Sequence, residues 1–314
     1  MTSYAYLGPE GTFTHEALTR WTPSAGQDYV PHGSVDSALD ALRDGEVDAA
    51  VVPIENSVEG GVSATLDALA SGDPLVVVGE VLVPITFVVC ARPGTTLADV
   101  RAIGTHSHAW AQVRGWADRA APEAIYVPTL STAAAAKDLA EHPDDLGYEA
   151  AVCAPVAAEH FGLEVLGHDI GDMANAVTRF VVVARPEWLP APTGRDKTTV
   201  VLFQRSDRAG GLLELLEQLS VRGINMTRLE SRPTKESMGS YCFSIDLEGH
   251  VQDERVGAAL MSLHRVCADV RYLGSYPAAS GDEVTIDPIA TDRAFVAARD
   301  WLESLRHLGS GPIR

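Results

Sequence analysis

Thr178 and Arg179 stand side by side in Gly171-Asp-Met-Ala-Asn-Ala-Val-Thr-Arg-Phe180, a polar turn that runs straight into the apolar Val181-Val-Val-Ala184. A hydroxyl and a guanidinium therefore sit where a strand enters a core. The hydroxyl can deliver a proton, and the guanidinium can hold an anion. A second polar group, Glu55, Asn56, Ser57 and Glu59, lies in Pro53-Ile-Glu-Asn-Ser-Val-Glu-Gly60, just after the apolar Asp48-Ala-Ala-Val-Val52. In an open α/β sheet, ligands bind beyond the carboxyl ends of strands, where this loop falls. A third stretch, Gly8-Pro-Glu-Gly-Thr-Phe-Thr-His15, follows a short apolar run and opens a helix. Free N–H groups at such a helix start attract anions. Singly, each of the three also reads as an ordinary strand edge or turn.

The elements that must position these groups fall into two similar α/β halves. In the first, residues 4–7 predict a strand, 16–21 a helix, 34–44 a helix capped by Ser34, and 48–52 a strand. In the second, 101–104 predict a strand, 109–120 a helix, 125–127 a strand, 131–141 a helix and 149–155 a strand. Ala49-Ala-Val-Val-Pro53 in one half answers Ala150-Ala-Val-Cys-Ala-Pro155 in the other, each after a Ser/Thr-capped helix. Two related lobes with a crossover predict a hinged clamshell resembling periplasmic solute-binding proteins. Lobe 1 takes about 1–80 and 170–185, lobe 2 about 81–169, and the segment carrying Thr178 returns the chain to lobe 1. A Pro/Ala/Gly-rich linker spans 186–196. Residues 197–276 change rhythm to βαββαβ, with strands at 198–203, 224–230, 240–247 and 270–276 and helices at 210–222 and 254–267. This is the ferredoxin-like order. Residues 277–314 form a tail with one helix at 293–307.

Composition narrows the partners. The chain has 314 residues and a net charge of −19, from 24 Lys and Arg against 43 Asp and Glu. Such a surface repels nucleic acid and anionic membranes. An anionic small substrate would need a local basic group, which draws attention to any Arg in a cleft. Cys90, Cys153, Cys242 and Cys267 form no C-x-x-C pair and lie in or beside apolar runs, which predicts buried reduced thiols and a cytoplasmic protein. Neither a signal peptide nor a membrane-spanning run is read in the sequence. With no dinucleotide fingerprint, metal-ligand cluster or nucleophile elbow, neither cofactor nor metal is expected.

Together, Gly8-Pro-Glu-Gly-Thr-Phe-Thr-His15, Pro53-Ile-Glu-Asn-Ser-Val-Glu-Gly60, Thr178-Arg-Phe180 and Glu230-Ser-Arg-Pro233 resemble the prephenate dehydratase family over residues 4–276. The resemblance implies decarboxylating dehydration of prephenate to phenylpyruvate, in phenylalanine biosynthesis. The family's reacting threonine falls on Thr178, its general acid, and its Glu-Asn-Ser segment on Glu55, Asn56 and Ser57. A family segment usually read Ser-His-Pro-Gln, with a further Gln, aligns with Thr105-His-Ser-His108 and Gln112, where Ser107 and His108 depart from it. Thr105 and Gln112 are implied substrate contacts. Arg179 is expected either to bind substrate or, because strand neighbours face opposite ways, to support the strand from behind.

The resemblance also implies that the βαββαβ unit is an ACT regulatory domain that binds L-phenylalanine. The residues implied are Gly210, Gly211 and Leu212 in Ala209-Gly-Gly-Leu212, Asn225, and Glu230, Ser231 and Arg232 in the Glu-Ser-Arg-Pro motif. Such domains pair side by side, so a homodimer or homotetramer is expected. Two alternatives stay open. Arogenate, with an amino group in place of the keto oxygen, would need an acidic partner in the cleft. A non-catalytic amino-acid sensor would need no positioned acid.

Overall fold

The computed structural model describes residues 2–23, 26–58, 60–142, 146–173, 175–234, 241–281 and 285–307. The chain opens with β1 (Ser3–Leu7), α1 (Phe13–Trp21), β2 (Asp28–His32), α2 (Val35–Arg43), β3 (Ala49–Asn56), the short β4 (Gly60–Gly61), α3 (Ser63–Ala70) and β5 (Val76–Pro84). It continues through β6 (Val88–Ala91), β7 (Ala102–Thr105), α4 (Ser107–Ala120), β8 (Ile125–Pro128), α5 (Thr132–Glu141), β9 (Ala150–Cys153), α6 (Pro155–His160), β10 (Glu164–Gly167) and β11 (Val177–Ala184). The remainder is β12 (Asp196–Phe203), α7 (Gly211–Ser220), β13 (Met226–Pro233), β14 (Tyr241–Glu248), α8 (Glu254–Val266), β15 (Asp269–Pro277) and α9 (Asp292–Arg306).

The chain divides into two compact units, residues 1–68 with 81–185 and residues 69–80 with 186–314. The first unit holds two mixed sheets of matching plan, though of the edge strand β5 only residues 81–84 fall in this unit. One runs β2-β1-β3-β11-β5, the other β8-β7-β9-β6-β10. In each, a central strand is parallel to both neighbours: β1 to β2 and β3, and β7 to β8 and β9. In each, the next strand is antiparallel: β11 on β3, and β6 on β9. The strand that completes the first sheet comes from after the second. The chain therefore crosses twice, near residues 85–87 and 170–176, and the crossovers bond to each other through Ile85 N–H to Ala176 O (2.7 Å) and Ile170 N–H to Phe87 O (3.1 Å).

Local sequence explains these elements. Ser34 Oγ accepts the Ser37 N–H at 3.1 Å and starts α2, whose Val35, Ala38, Leu39 and Leu42 are buried at helical spacing. Ser131 does the same for α5 by accepting the Ala134 N–H at 2.9 Å. The core of β11 is Phe180, Val181, Val182 and Val183, all buried. Burial of each valine stabilises by about 1.5–3 kcal/mol, enough to anchor the strand that delivers Thr178. β2 and α6 were not expected. β2 is a short edge strand interrupted by Pro31, and α6 has only six residues and starts on Pro155.

The second unit has the order β12-α7-β13-β14-α8-β15 and an antiparallel four-stranded sheet, β13-β14-β12-β15. Val200, Leu202, Ile245 and Leu247 on the sheet pack with Leu215 and Leu219 of α7 and Val256 and Leu263 of α8. Residues 69–80, read from the sequence as part of lobe 1, group with this unit. Arg271 donates to the carbonyls of Leu69 and Gly72, and Lys197 pairs with the buried Glu80 at 2.9 Å. Gly274, at φ +119°, lets the Val77 carbonyl approach so closely that a Cβ would lie 2.2 Å from its oxygen. The four cysteines are buried and unbridged. Among the described residues, no helix is long and apolar enough to cross a membrane. Glu59, and Ser240 at the start of an expected strand, lie outside the described residues.

Candidate active site

The antiparallel ladder between β3 and β11 sets Thr178 opposite Asn56 and Arg179 opposite Glu55. Alternation along a strand sends these two pairs to opposite faces. Asn56 Nδ2 donates to Thr178 Oγ1 at 2.7 Å. The amide's orientation is fixed independently, because Asn56 Oδ1 accepts the Val58 N–H at 2.8 Å. Thr178 thus receives a hydrogen bond and retains its own proton for donation. Both side chains line a cleft of about 360 Å³ between the two lobes.

Arg179 and Glu55, both expected as substrate contacts, do not line this cleft. Arg179 NH1 meets Glu55 Oε2 at 3.1 Å, with the guanidinium 7 % and the carboxylate 36 % exposed. The pair belongs to the back of the ladder. Ser57 also serves the ladder: its Oγ accepts the Val177 N–H and its N–H donates to the Val177 carbonyl, each at 2.9 Å. Thr105 is buried and donates to the Val152 carbonyl at 2.7 Å, bracing the second sheet. Of the seven residues expected here, Thr178, Asn56 and Gln112 line the cleft and Glu55, Ser57, Thr105 and Arg179 do not.

The expected basic group is replaced by helix ends. No Lys, Arg, Asp or Glu occurs among the described residues lining the cleft. Its wall instead includes Thr12, Phe13 and Thr14 at the start of α1, His106, His108 and Ala109 at the start of α4, and Ser131 and Thr132 at the start of α5. Three helices aim their positive ends at one volume, which suits an anion. The anticipated donors in the Gly8–Thr12 turn are partly spent. Gly8 N–H goes to His32 O at 2.9 Å and Gly11 N–H to His15 Nδ1 at 3.2 Å. The next backbone donors, Phe13 and Thr14, lie in the first turn of α1.

His106 and His108, which precede the helix expected at 109–120, lie at the start of α4. His106 is the N-cap of α4, accepting the His108 N–H through Nδ1 at 3.4 Å, and His108 lies in the first helical turn. Their signal was two imidazoles bracketing a helix start after a strand. Phe13, Ile85, Phe87 and Phe180 supply the apolar wall, with Phe13 edge-on to Phe87 at 5.7 Å. Burial lowers the pKa of nearby His15, which stacks on Tyr6, and pushes the Tyr6 phenol up to about 12. Among the described residues, no cluster of three or more His, Cys, Asp or Glu is set to hold a metal.

In the second unit, Gly210 caps α7 in the left-handed conformation at φ 79°, with Gly211 and Leu212 in the first turn. Glu230, Ser231 and Arg232 lie on β13, the edge strand of the sheet. Asn225 donates to Glu248 Oε1 at 2.9 Å. A cavity of about 300 Å³ beside α7 is lined by Gly211 with Arg205, Arg208 and Arg265, but not by the β13 residues.

The prephenate dehydratase family model matches residues 4–187. A prephenate dehydratase from Amycolatopsis methanolica is 47 % identical over 307 residues, covering 98 % of each chain. One from Mycolicibacterium vanbaalenii is 45 % identical, covering 98 % of this chain and 99 % of its own. The crystal structure of a prephenate dehydratase from Arthrobacter aurescens in complex with L-Phe is 51 % identical with a TM-score of 0.92, covering 97 % of this chain and 99 % of that one.

Proposed function

The chain belongs to the prephenate dehydratase family, and from that premise we propose that its first unit converts prephenate to phenylpyruvate, CO2 and water. The observation that carries the reading is the hydrogen bond from Asn56 to Thr178 Oγ1. It orients the hydroxyl as a donor into the cleft. As the ring C–O bond breaks, the departing hydroxide takes the Thr178 proton. Water's pKa of about 15.7 makes even an alcohol a competent donor to it. The ring carboxylate leaves as CO2, its bonding electrons complete the aromatic ring, and Thr178 recovers a proton from solvent.

The remaining lining fits this substrate. The starts of α1, α4 and α5 face the dianion's carboxylates, Gln112 adds a polar contact from the second lobe, and the phenylalanines wall the ring. A lining free of Asp and Glu among the described residues favours the keto acid over arogenate, whose ammonium would find no carboxylate in it. We infer that the paired lobes follow the periplasmic-binding-protein plan and that the reaction is cytoplasmic, in keeping with four unbridged cysteines.

We further propose that the second unit is an ACT domain that binds L-phenylalanine and inhibits the enzyme. The support is its βαββαβ order, the glycines opening α7, and the L-Phe bound by the Arthrobacter relative. Gly210, Gly211 and Leu212 of one copy and Asn225, Glu230, Ser231 and Arg232 of a second, paired side by side, would enclose the ligand in a homodimer or homotetramer. Ultraviolet detection of phenylpyruvate from prephenate, with and without L-phenylalanine, tests both parts. Absence of turnover would overturn the first, and indifference to L-phenylalanine the second.

A further inference from the structure

Asp172 sits in the returning crossover, six residues before Thr178, and grips the middle of α4. Its Oδ2 accepts the Gly115 N–H at 2.6 Å and its Oδ1 accepts the Trp116 N–H at 3.1 Å. Its own N–H donates to the Gln112 carbonyl at 2.6 Å. This is not capping, because α4 begins at Ser107, a full two turns earlier. The carbonyl four residues before Trp116 is that of Gln112, which accepts the Asp172 N–H, so the clasp exchanges bonds with the α4 backbone in both directions. Gly115 makes the grip possible: a Cβ there would lie 2.6 Å from Asp172 Oδ1.

The clasp joins two parts of the cleft. Gln112 projects into it from α4 of the second lobe, and Thr178 from β11 of the first. The chain between Asp172 and Thr178 is anchored at one end on the Gln112 turn and at the other in the β3–β11 ladder. We propose that Asp172 is a positioning residue, which with Gly115 holds Gln112 in register with Thr178 across the cleft. This rests on the prephenate dehydratase reading above. The bonds themselves lie at the surface, where they add little to overall stability. Their effect is on placement.

The test is kcat/KM for prephenate in Asp172→Asn, Gly115→Ala, Gln112→Ala and the double variant Asp172→Asn/Gln112→Ala. In Asp172→Asn the new amide would turn an N–H donor toward a backbone N–H. In Gly115→Ala the new methyl would push the carboxylate off the helix. Each single change at the clasp is expected to lower kcat/KM by about 10- to 100-fold, the scale of an ångström's misplacement. In the Gln112→Ala background, Asp172→Asn should cost less than about threefold, because residues acting through one another are not additive. A purely structural role predicts the opposite for Gly115→Ala, since alanine favours a helix over glycine and should not lower Tm. Wild-type kcat/KM in Gly115→Ala, or losses that multiply in the double variant, would overturn the proposal. A wild-type protein inactive on prephenate would instead remove the proposed reaction. The clasp is then read from amide hydrogen exchange at Gly115 and Trp116, which Asp172→Asn should speed and which would refute it if unchanged.

Discussion

Asn56 reaches across the β3–β11 ladder to donate to Thr178 at 2.7 Å, while Arg179, the next residue, turns the other way to Glu55. One ladder therefore presents one pair to the cleft and the other pair away from it. The substitutions below separate the two.

On the reactive face, Thr178→Ala should lower kcat by about 10²- to 10⁴-fold, the usual worth of a positioned acid. Thr178→Ser should retain markedly more, since it keeps the hydroxyl. Asn56→Ala should fall between them, because the acid remains but is no longer oriented. Steady-state kinetics on folded variants decide it, and equal activity of the Ala and Ser variants would remove the general-acid role.

On the supporting face, Glu55→Gln replaces the charged half of the 3.1 Å pair with Arg179 by a neutral amide. The expected cost is about 1 kcal/mol of stability, measured by urea unfolding, with KM little changed. A large rise in KM without loss of stability would bring Glu55 and Arg179 back to the substrate.

The cleft should also respond to a misplaced charge. Ser131→Asp keeps a good N-cap for α5 but sets a carboxylate in the wall. Repulsion of about 1–4 kcal/mol at close range would raise KM for prephenate about tenfold or more. The same variant should treat arogenate better than prephenate, relative to wild type. Unchanged KM would mean that the anionic groups bind elsewhere.

His15 makes stability depend on pH. Burial lowers its pKa below the ordinary 6.5, and its Nδ1 must stay unprotonated to accept the Gly11 N–H. The unfolded chain binds this proton more readily than the folded one. The contribution is therefore complete above the unfolded pKa and is lost as pH falls through the lowered folded pKa. Urea midpoints should fall between about pH 7 and 5 less steeply in His15→Asn, which keeps an acceptor but does not titrate. Parallel profiles for the two proteins would exclude His15 as a source.

Control is tested at β13. Ser231→Leu on the edge strand should weaken inhibition by L-phenylalanine about tenfold or more while leaving turnover without it unchanged; tenfold corresponds to roughly 1.4 kcal/mol of lost binding. A ligand shifts an equilibrium only through differential affinity, so a lost site means lost inhibition. Wild-type sensitivity in this variant would place the ligand elsewhere.

Local pattern alone determined most of the elements and where the chemistry would gather. Ser34 and Ser131 announced their helices because a cap is a bond between near neighbours, and the apolar runs of β3 and β11 are legible because burial needs apolar residues wherever they pack. Thr178 and Asn56 stood out by the same logic, as polar groups at the ends of such runs. Alternation tells that Thr178 and Arg179 face opposite ways, but not which of them meets the cleft. The resemblance implied Thr105 as a substrate contact, and its hydroxyl donates within the sheet; Arg179, for which support of the strand stood beside substrate binding, pairs with Glu55. α4 begins at Ser107 rather than at 109, which makes His106 its N-cap and puts His108 in its first turn. The proposed affinity of the cleft for an anion likewise rests on the tertiary structure, which brings three helix starts spread along the chain from Phe13 to Thr132 to one lining. A backbone dipole leaves no mark in residue type, and its direction is set only when the helices are packed.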